Sequence, residues 1–254
     1  MSIFSLGNLA LGTAGIAQMT AALARGDLDE TARLGAQAGP VVVERALADP
    51  SRQVRLAAIV AAPAVEDRAE LLPALARAAA APDLRTAIPA AAAARTIARG
   101  LAARELADDL APDDVDAWRA DFERLARDPA RAIEVRTIAL DTAATLGHAL
   151  DPDALGFDLA AALADPDPAI RATAVALVPD PAPEAARAPL AAAVIGEADA
   201  AVALGAAQAL CAGLAFDDPA PVRAALGAKG LERIKALVAK TRSPAARDAA
   251  RCVR

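Results

Sequence analysis

Aromatic residues are nearly absent from this chain of 254 residues: it has no tyrosine, one tryptophan (Trp118) and four phenylalanines. Strands favour β-branched and aromatic side chains, whereas alanine, which dominates many segments here, is the best helix former and lets helices approach closely. The scarcity therefore excludes a sheet-built core and leaves an all-α fold. Histidine is scarcer still. His148 is the single copy; it has no companion His or Cys at ligand spacing, and no serine or cysteine is placed to be its nucleophile. It follows Leu146-Gly147 at the expected end of a helix, where an imidazole interacts favourably with the dipole. No phosphate-cradling glycine loop, dinucleotide fingerprint or set of paired zinc cysteines occurs. No catalytic residue, metal ligand or cofactor is expected.

Lysine is confined to Lys229, Lys235 and Lys240. With so much alanine and arginine, this is also what a GC-rich bacterial genome produces. The two cysteines, Cys211 and Cys252, are 41 residues apart, near the repeat spacing found below. Equivalent positions on stacked helices tend to lie too far apart for a bridge, so buried free thiols are expected ahead of a disulfide, which stays open as the alternative.

Charge is absent from residues 2 to 24, and Ala22-Leu23-Ala24 resembles a small-x-small cleavage pattern. No basic residue precedes the apolar run, however, and Asn8, Gln18 and three glycines dilute it. The expectation is a pair of N-terminal capping helices over 1–38, with an export or anchor segment at 1–24 as the alternative. The cytoplasm is accordingly favoured over export.

Hydrophobic residues make up 56% of the chain, which excludes disorder. The net charge of −6 hides an asymmetry. From Arg223 to the end nine basic residues face Glu232 and Asp248, whereas from Asp151 to Val222 eleven acidic residues face Arg171 and Arg187. Such a split suits different partners at each end, or simply a solvated surface.

The organising stretch runs from Leu155 to Val178. Leu155, Leu159 and Leu163 stand at steps of four, predicting one buried helix face; Asp165-Pro166 ends that helix. Asp167 is placed as the next N-cap with Pro168 at the first helical position, and Ile170, Ala174, Leu177 and Val178 form a second stripe. Neither helix is long enough to be stable alone.

Copies of this junction recur. Asp49-Pro50 with Val54-Arg55 has the same spacing, and Asp128-Pro129 with Val135-Arg136 is two residues longer. From Asp49 to Asp128 is 79 residues and from Asp128 to Asp165 is 37, so the unit is near forty. A degenerate copy has a helix over Leu71–Ala80, the turn Ala81-Pro82-Asp83 and a restart at Ile88-Pro89. A fifth pair spans Pro189–Ile195 and Ala200–Ala212. A sixth spans Leu231–Ala239 and Pro244–Val253, with Ser243 as cap. The proline connectors, including Asp151-Pro152-Asp153-Ala154, separate units rather than domains, and no linker divides the chain.

These residues resemble the HEAT repeat family, whose units are antiparallel helix pairs with an aspartate and proline in the turn and a V-R or I-R step early in the second helix. The resemblance implies an α-solenoid of about five to six helical hairpins over 39–254, and structural roles for Asp49, Arg55, Asp128, Arg136, Asp165 and Arg171 in knitting successive turns. The fifth unit has Ala203 where an arginine is expected, so the ladder is interrupted there.

Two further features bear on chemistry. The acidic run from Glu105 to Asp116 lacks the glycine and the ligand spacing of a calcium loop; Asp113 and Asp114 suit a helix N-terminus instead. That next helix carries Val115, Trp118, Phe122 and Leu125 at core spacing, with an exposed Trp118 as the alternative, a partner anchor.

HEAT-like DNA glycosylases use a basic groove with aromatics, which this acidic, aromatic-poor chain lacks, and no motif supports a bilin site of the lyases with related repeats. The function expected is a non-catalytic scaffold, a monomer that binds another protein through its extended surface. The alternatives are a nucleic-acid or anionic-membrane binder through the basic C-terminal unit, or a lyase-type protein. Candidate partner-binding residues are Trp118, Lys229, Arg233, Lys235, Lys240 and Arg242, and the candidate face is formed by the second helices of the hairpins.

Overall fold

The structure is a computed structural model that describes residues 3–102, 111–151, 155–212, 219–241 and 243–253. The acidic run from Glu105 to Leu110, residues 152–154 of the expected connector, and Arg242 lie outside them. The described residues are all-helical, with fourteen α-helices, short 3-10 turns and no strand. Half of the buried apolar residues are alanine, so the helices meet through small side chains, with leucine, isoleucine and valine filling between them.

The chain forms two compact units, residues 1–150 and 151–254. The first opens with α1 (Ile3–Ala24) and α2 (Leu28–Ala38). Asp27 caps α2 by accepting from the Glu30 amide at 3.0 Å. Among the described residues no helix is long and apolar enough to cross a membrane. Instead α1 packs on α2 and α4, and its Met19 and Ala22 are fully buried. The sequence-read boundary at 38/39 thus falls inside this unit.

Three helix pairs follow: α3 (Pro40–Leu47) with α4 (Arg52–Ala61), α5 (Leu72–Ala79) with α6 (Leu84–Ala102), and α7 (Pro112–Arg127) with α8 (Ile133–Leu150). First helices touch first helices, α3 on α5 and α5 on α7. Second helices touch second helices, α4 on α6 and α6 on α8.

The second unit repeats the order with α9 (Leu159–Leu163) and α10 (Pro168–Ala176), α11 (Glu184–Gly196) and α12 (Ala200–Cys211), and α13 (Ala220–Val238, broken at Gly227) and α14 (Pro244–Ala249). Here α9 touches α11 and α11 touches α13, while α10 touches α12 and α12 touches α14.

Three expectations change. The helix predicted from Leu155 starts only at Leu159. Gly156 takes φ +69, a left-handed conformation that favours glycine, and Asp158 then caps the helix by accepting from the Ala161 amide at 3.0 Å. Leu155 and Leu163 are half-buried, and Phe157, Leu159 and Ala162 are the buried residues.

The expected restart at Ile88-Pro89 does not occur, because α6 is continuous from Leu84. Asp83 nucleates it by accepting from the Arg85 amide and the Thr86 hydroxyl, and Pro89 removes a single bond, that to the Arg85 carbonyl.

The free-thiol expectation is overturned as well. Cys211 and Cys252 form a disulfide with Cα atoms 5.5 Å apart. Cys252 is not at an equivalent position on a stacked helix: it lies in a 3-10 turn (Ala250–Val253) that folds back against α12 and α13.

Candidate interaction surface

Five of the six turns between paired helices share one construction. In each of these, a carboxylate accepts from the amide two residues ahead: Asp49 from Ser51 at 2.8 Å, Asp83 from Arg85 at 3.1 Å, Asp128 from Ala130 at 3.0 Å, Asp165 from Asp167 at 2.9 Å and Glu197 from Asp199 at 2.8 Å. Asx-type turns of this kind reverse the chain while satisfying an amide that the next helix leaves unpaired. The N-caps Asp167, Asp199 and Ser243 complete the starts of α10, α12 and α14.

The arginines bind carbonyls at the ends of the first helices or in the turns that follow them. Arg55 Nη1 donates to the Asp49 and Pro50 carbonyls, both at 2.8 Å, and Arg171 Nη1 to those of Asp165 and Pro166 at 2.8 and 3.0 Å. Buried Arg136 sends Nε to the Ala126 carbonyl at 2.8 Å. Arg55 and Arg171 thus hold carbonyls of the turns that follow α3 and α9, and Arg136 satisfies a carbonyl that the C-terminus of α7 leaves unpaired.

Arg171 also reaches the next pair, donating Nε and Nη2 to the two carboxylate oxygens of Glu197 at 2.7 and 3.1 Å. That pair holds the Glu197 carboxyl below its usual range and raises Arg171. Arg131 likewise spans pairs, donating to the Ala80 carbonyl. The residues sequence reasoning missed are Asp83, Arg131 and Glu197. For Glu197 a signal was present: Glu-Ala-Asp at 197–199 matches Asp-Pro-Asp at 165–167, an acid two residues before a cap.

With the turn residues occupied in this way, the surfaces left for a partner are helix faces and grooves. In unit 1 an open groove of about 640 Å³ lies between α5 and α7, lined by Ala76, Arg77, Leu125 and the charged Asp121, Glu123 and Arg124. Its charges are largely paired, Arg124 with Asp121 at 3.0 Å and Arg127 with Glu123 at 2.9 Å. In unit 2 a groove of about 410 Å³ between α10 and α12 is walled by Ala172, Val175, Ala176, Val202 and Gly205. His148 is exposed in the last turn of α8, and Trp118 is half-buried on α7. Neither lines these grooves. No group of three or more metal-ligating side chains occurs among the described residues.

Three of the C-terminal arginines are bound to backbone carbonyls. Arg223 donates to the Cys252 carbonyl at 3.0 Å, Arg251 to the Ala212 carbonyl, and half-buried Arg233 to the Glu197 carbonyl at 3.3 Å. Lys235 pairs with Glu232 at 2.7 Å. Lys229, Lys235 and Lys240 are exposed, but Lys229 and Lys235 lie about 120° apart around α13, and Lys240 follows its end.

No family model matches the chain, and no curated protein matches it. Its likeness is structural. The chain is similar to a crystallised engineered protein, 18% identical with a TM-score of 0.54, over 94% of this chain and 67% of that one. A second engineered protein is 16% identical with a TM-score of 0.40, over 96% of this chain and 95% of the other. At such identity the first likeness speaks for the fold alone.

Proposed function

We propose that the chain is a HEAT-like α-solenoid that acts as a non-catalytic scaffold, binding another protein through the faces of its second helices. The observation that carries this reading is the order of contacts within each unit. Helix pairs meet neighbouring pairs first helix to first helix and second helix to second helix. A stack of that kind buries the inner faces of its hairpins and leaves rows of parallel helices open to solvent.

The Asx turns and arginine caps fit the family's turn chemistry, with Arg171 to Glu197 continuing the ladder into the fifth unit through an acid rather than an arginine. The basic-tail alternative has less support, since Arg223, Arg233 and Arg251 are used on backbone carbonyls. Counterion release on a polyanion needs cations that converge on one surface.

The test is affinity capture from the source organism, with proteins identified by mass spectrometry. Wild type is compared with a variant charge-reversed on the second helices (Arg85→Glu, Arg99→Glu) and one reversed in the last unit (Lys229→Glu, Lys240→Glu). The scaffold reading expects a partner lost only with the first variant. Loss only with the second, or recovery of nucleic acid, contradicts it.

A further inference from the structure

The second-helix row of unit 1 has a polarity of its own. Its central helix, α6, holds no acidic residue in nineteen, and its outward arc is Leu84, Arg85, Ile88, Ala92, Arg95, Thr96 and Arg99. At about 100° per residue these seven positions fall within an arc of about 120°. Leu84 is 47% exposed, one of three large apolar side chains so exposed among the described residues, with Leu28 and Val41. On either side, α4 adds Arg52 and half-buried Leu56, and α8 adds half-buried Thr137 and Ile138.

The charges on this face divide into two groups. At the turn end, Arg52 and Arg85 stand near Asp83, and Arg85 and Glu134 both occupy the N-terminal turns of their helices. Further along, Arg95 and Arg99 converge on one oxygen of one carboxylate, Asp141 Oδ2, at 3.6 and 2.7 Å. One carboxylate for two guanidiniums leaves one positive charge uncompensated. Asp141 also shows what the pair receives: an oxyanion, held from one side. The side chain of Arg99 is 60% exposed, which leaves room for a second oxyanion on its guanidinium.

Resting on the scaffold reading, we infer that this face docks an acidic, amphipathic segment of a partner protein, with its apolar side on Leu56, Ile88 and Ile138 and a carboxylate on Arg95 and Arg99. Charge complementarity selects the occupant. A basic segment would meet exposed Arg85 and the positive charge that Asp141 leaves uncompensated on Arg95 and Arg99, and a wholly polar polyanion would leave the apolar centre of the face uncovered.

The experiment is fluorescence anisotropy on the full chain with a fluorescein-labelled peptide of about 18 residues, about 27 Å long when helical, carrying glutamate and leucine at alternating three- and four-residue steps. Saturable, salt-sensitive binding is expected. The Arg95→Ala/Arg99→Ala double variant should bind about tenfold more weakly, and Arg77→Ala, on the α5 side, as wild type does.

Asp141→Asn is the discriminating variant: removing the competing carboxylate should tighten binding several-fold, which no merely structural role of Asp141 would do. Circular dichroism melts of each variant separate lost binding from lost folding. Absence of binding up to millimolar peptide, indifference to the double variant, or tighter binding of a labelled DNA duplex through the same arginines would each overturn the inference. If the peptide fails while a partner is still captured through the second helices, this inference falls and the scaffold reading stands.

Discussion

Replacing Arg171 by alanine removes four hydrogen bonds at once, two to carbonyls of the turn between α9 and α10 and two to the Glu197 carboxylate of the next pair. Two bonds from one Nη1 group to backbone carbonyls contribute about 1 kcal/mol net. The carboxylate pair is worth more because it is largely removed from water: the side chains of Arg171 and Glu197 are 16% and 8% exposed. Deleting one member of a fully buried pair costs about 3 to 5 kcal/mol, chiefly through the charge left behind. The residual exposure, and the Asp199 amide that Glu197 keeps, bring that down to about 2 kcal/mol.

The total for Arg171→Ala is therefore about 3 kcal/mol. Arg55→Ala, which loses two carbonyl bonds from one Nη1 group, is the internal control at about 1 kcal/mol. Urea unfolding followed by helical ellipticity measures both, while fluorescence of Trp118, which lies in unit 1, reports that unit separately. A double-mutant cycle of Arg171→Ala with Glu197→Gln should give a coupling of about 2 kcal/mol. A coupling below about 0.5 kcal/mol, the value of an exposed pair, would refute the view that the bridge ties the two helix pairs together.

Other consequences follow from the same contacts. The bridge between Cys211 and Cys252 closes a separation of 41 residues, worth about 4 kcal/mol by chain entropy, so reduction or Cys252→Ser should lower the urea midpoint of unit 2, and thiol titration of the unreduced, denatured protein should find no free thiol. Since the Glu197 carboxyl is held below its usual range in the folded state, its contribution is present above about pH 4.3 and is lost as pH falls toward the folded value; Glu197→Gln should flatten that part of the stability profile. Gly35→Ala would place a Cβ 2.3 Å from that of Ala61, where α2 meets α4, and should lower stability by about 1 to 3 kcal/mol in a thermal melt.

Local chemistry was the most legible part of this sequence. The caps at Asp167 and Ser243 followed from a polar residue before proline, and the all-helical fold from alanine in place of aromatics. Events governed by backbone conformation or by three-dimensional neighbours were less so. Gly156 could have continued a helix, and only its positive φ shows that it does not. Asp83 starts a helix that Pro89 argued against, because a capping carboxylate outweighs one missing bond near the start of the helix.

Cys252 reaches Cys211 because the last helix is short and its 3-10 turn folds back, which periodicity does not encode. The candidate surface was legible as a set of second helices but not as a ranking of them. That ranking depends on which arginines are consumed by carbonyls, as Arg55 and Arg136 are, and which, like Arg85 and Arg99, remain exposed.

The central claim, that the open faces of the second helices engage a partner, is tested most directly by site-resolved photo-cross-linking. A benzophenone amino acid would be placed singly at Gln53, Thr96 and Thr137 on the second helices and at Arg77, Asp116 and Arg124 on the first helices, and the full chain exposed to a lysate of its source organism. The account predicts one protein adduct shared by the three second-helix positions and absent from the other three. Adducts confined to α5 and α7, or to nucleic acid at any position, would contradict it.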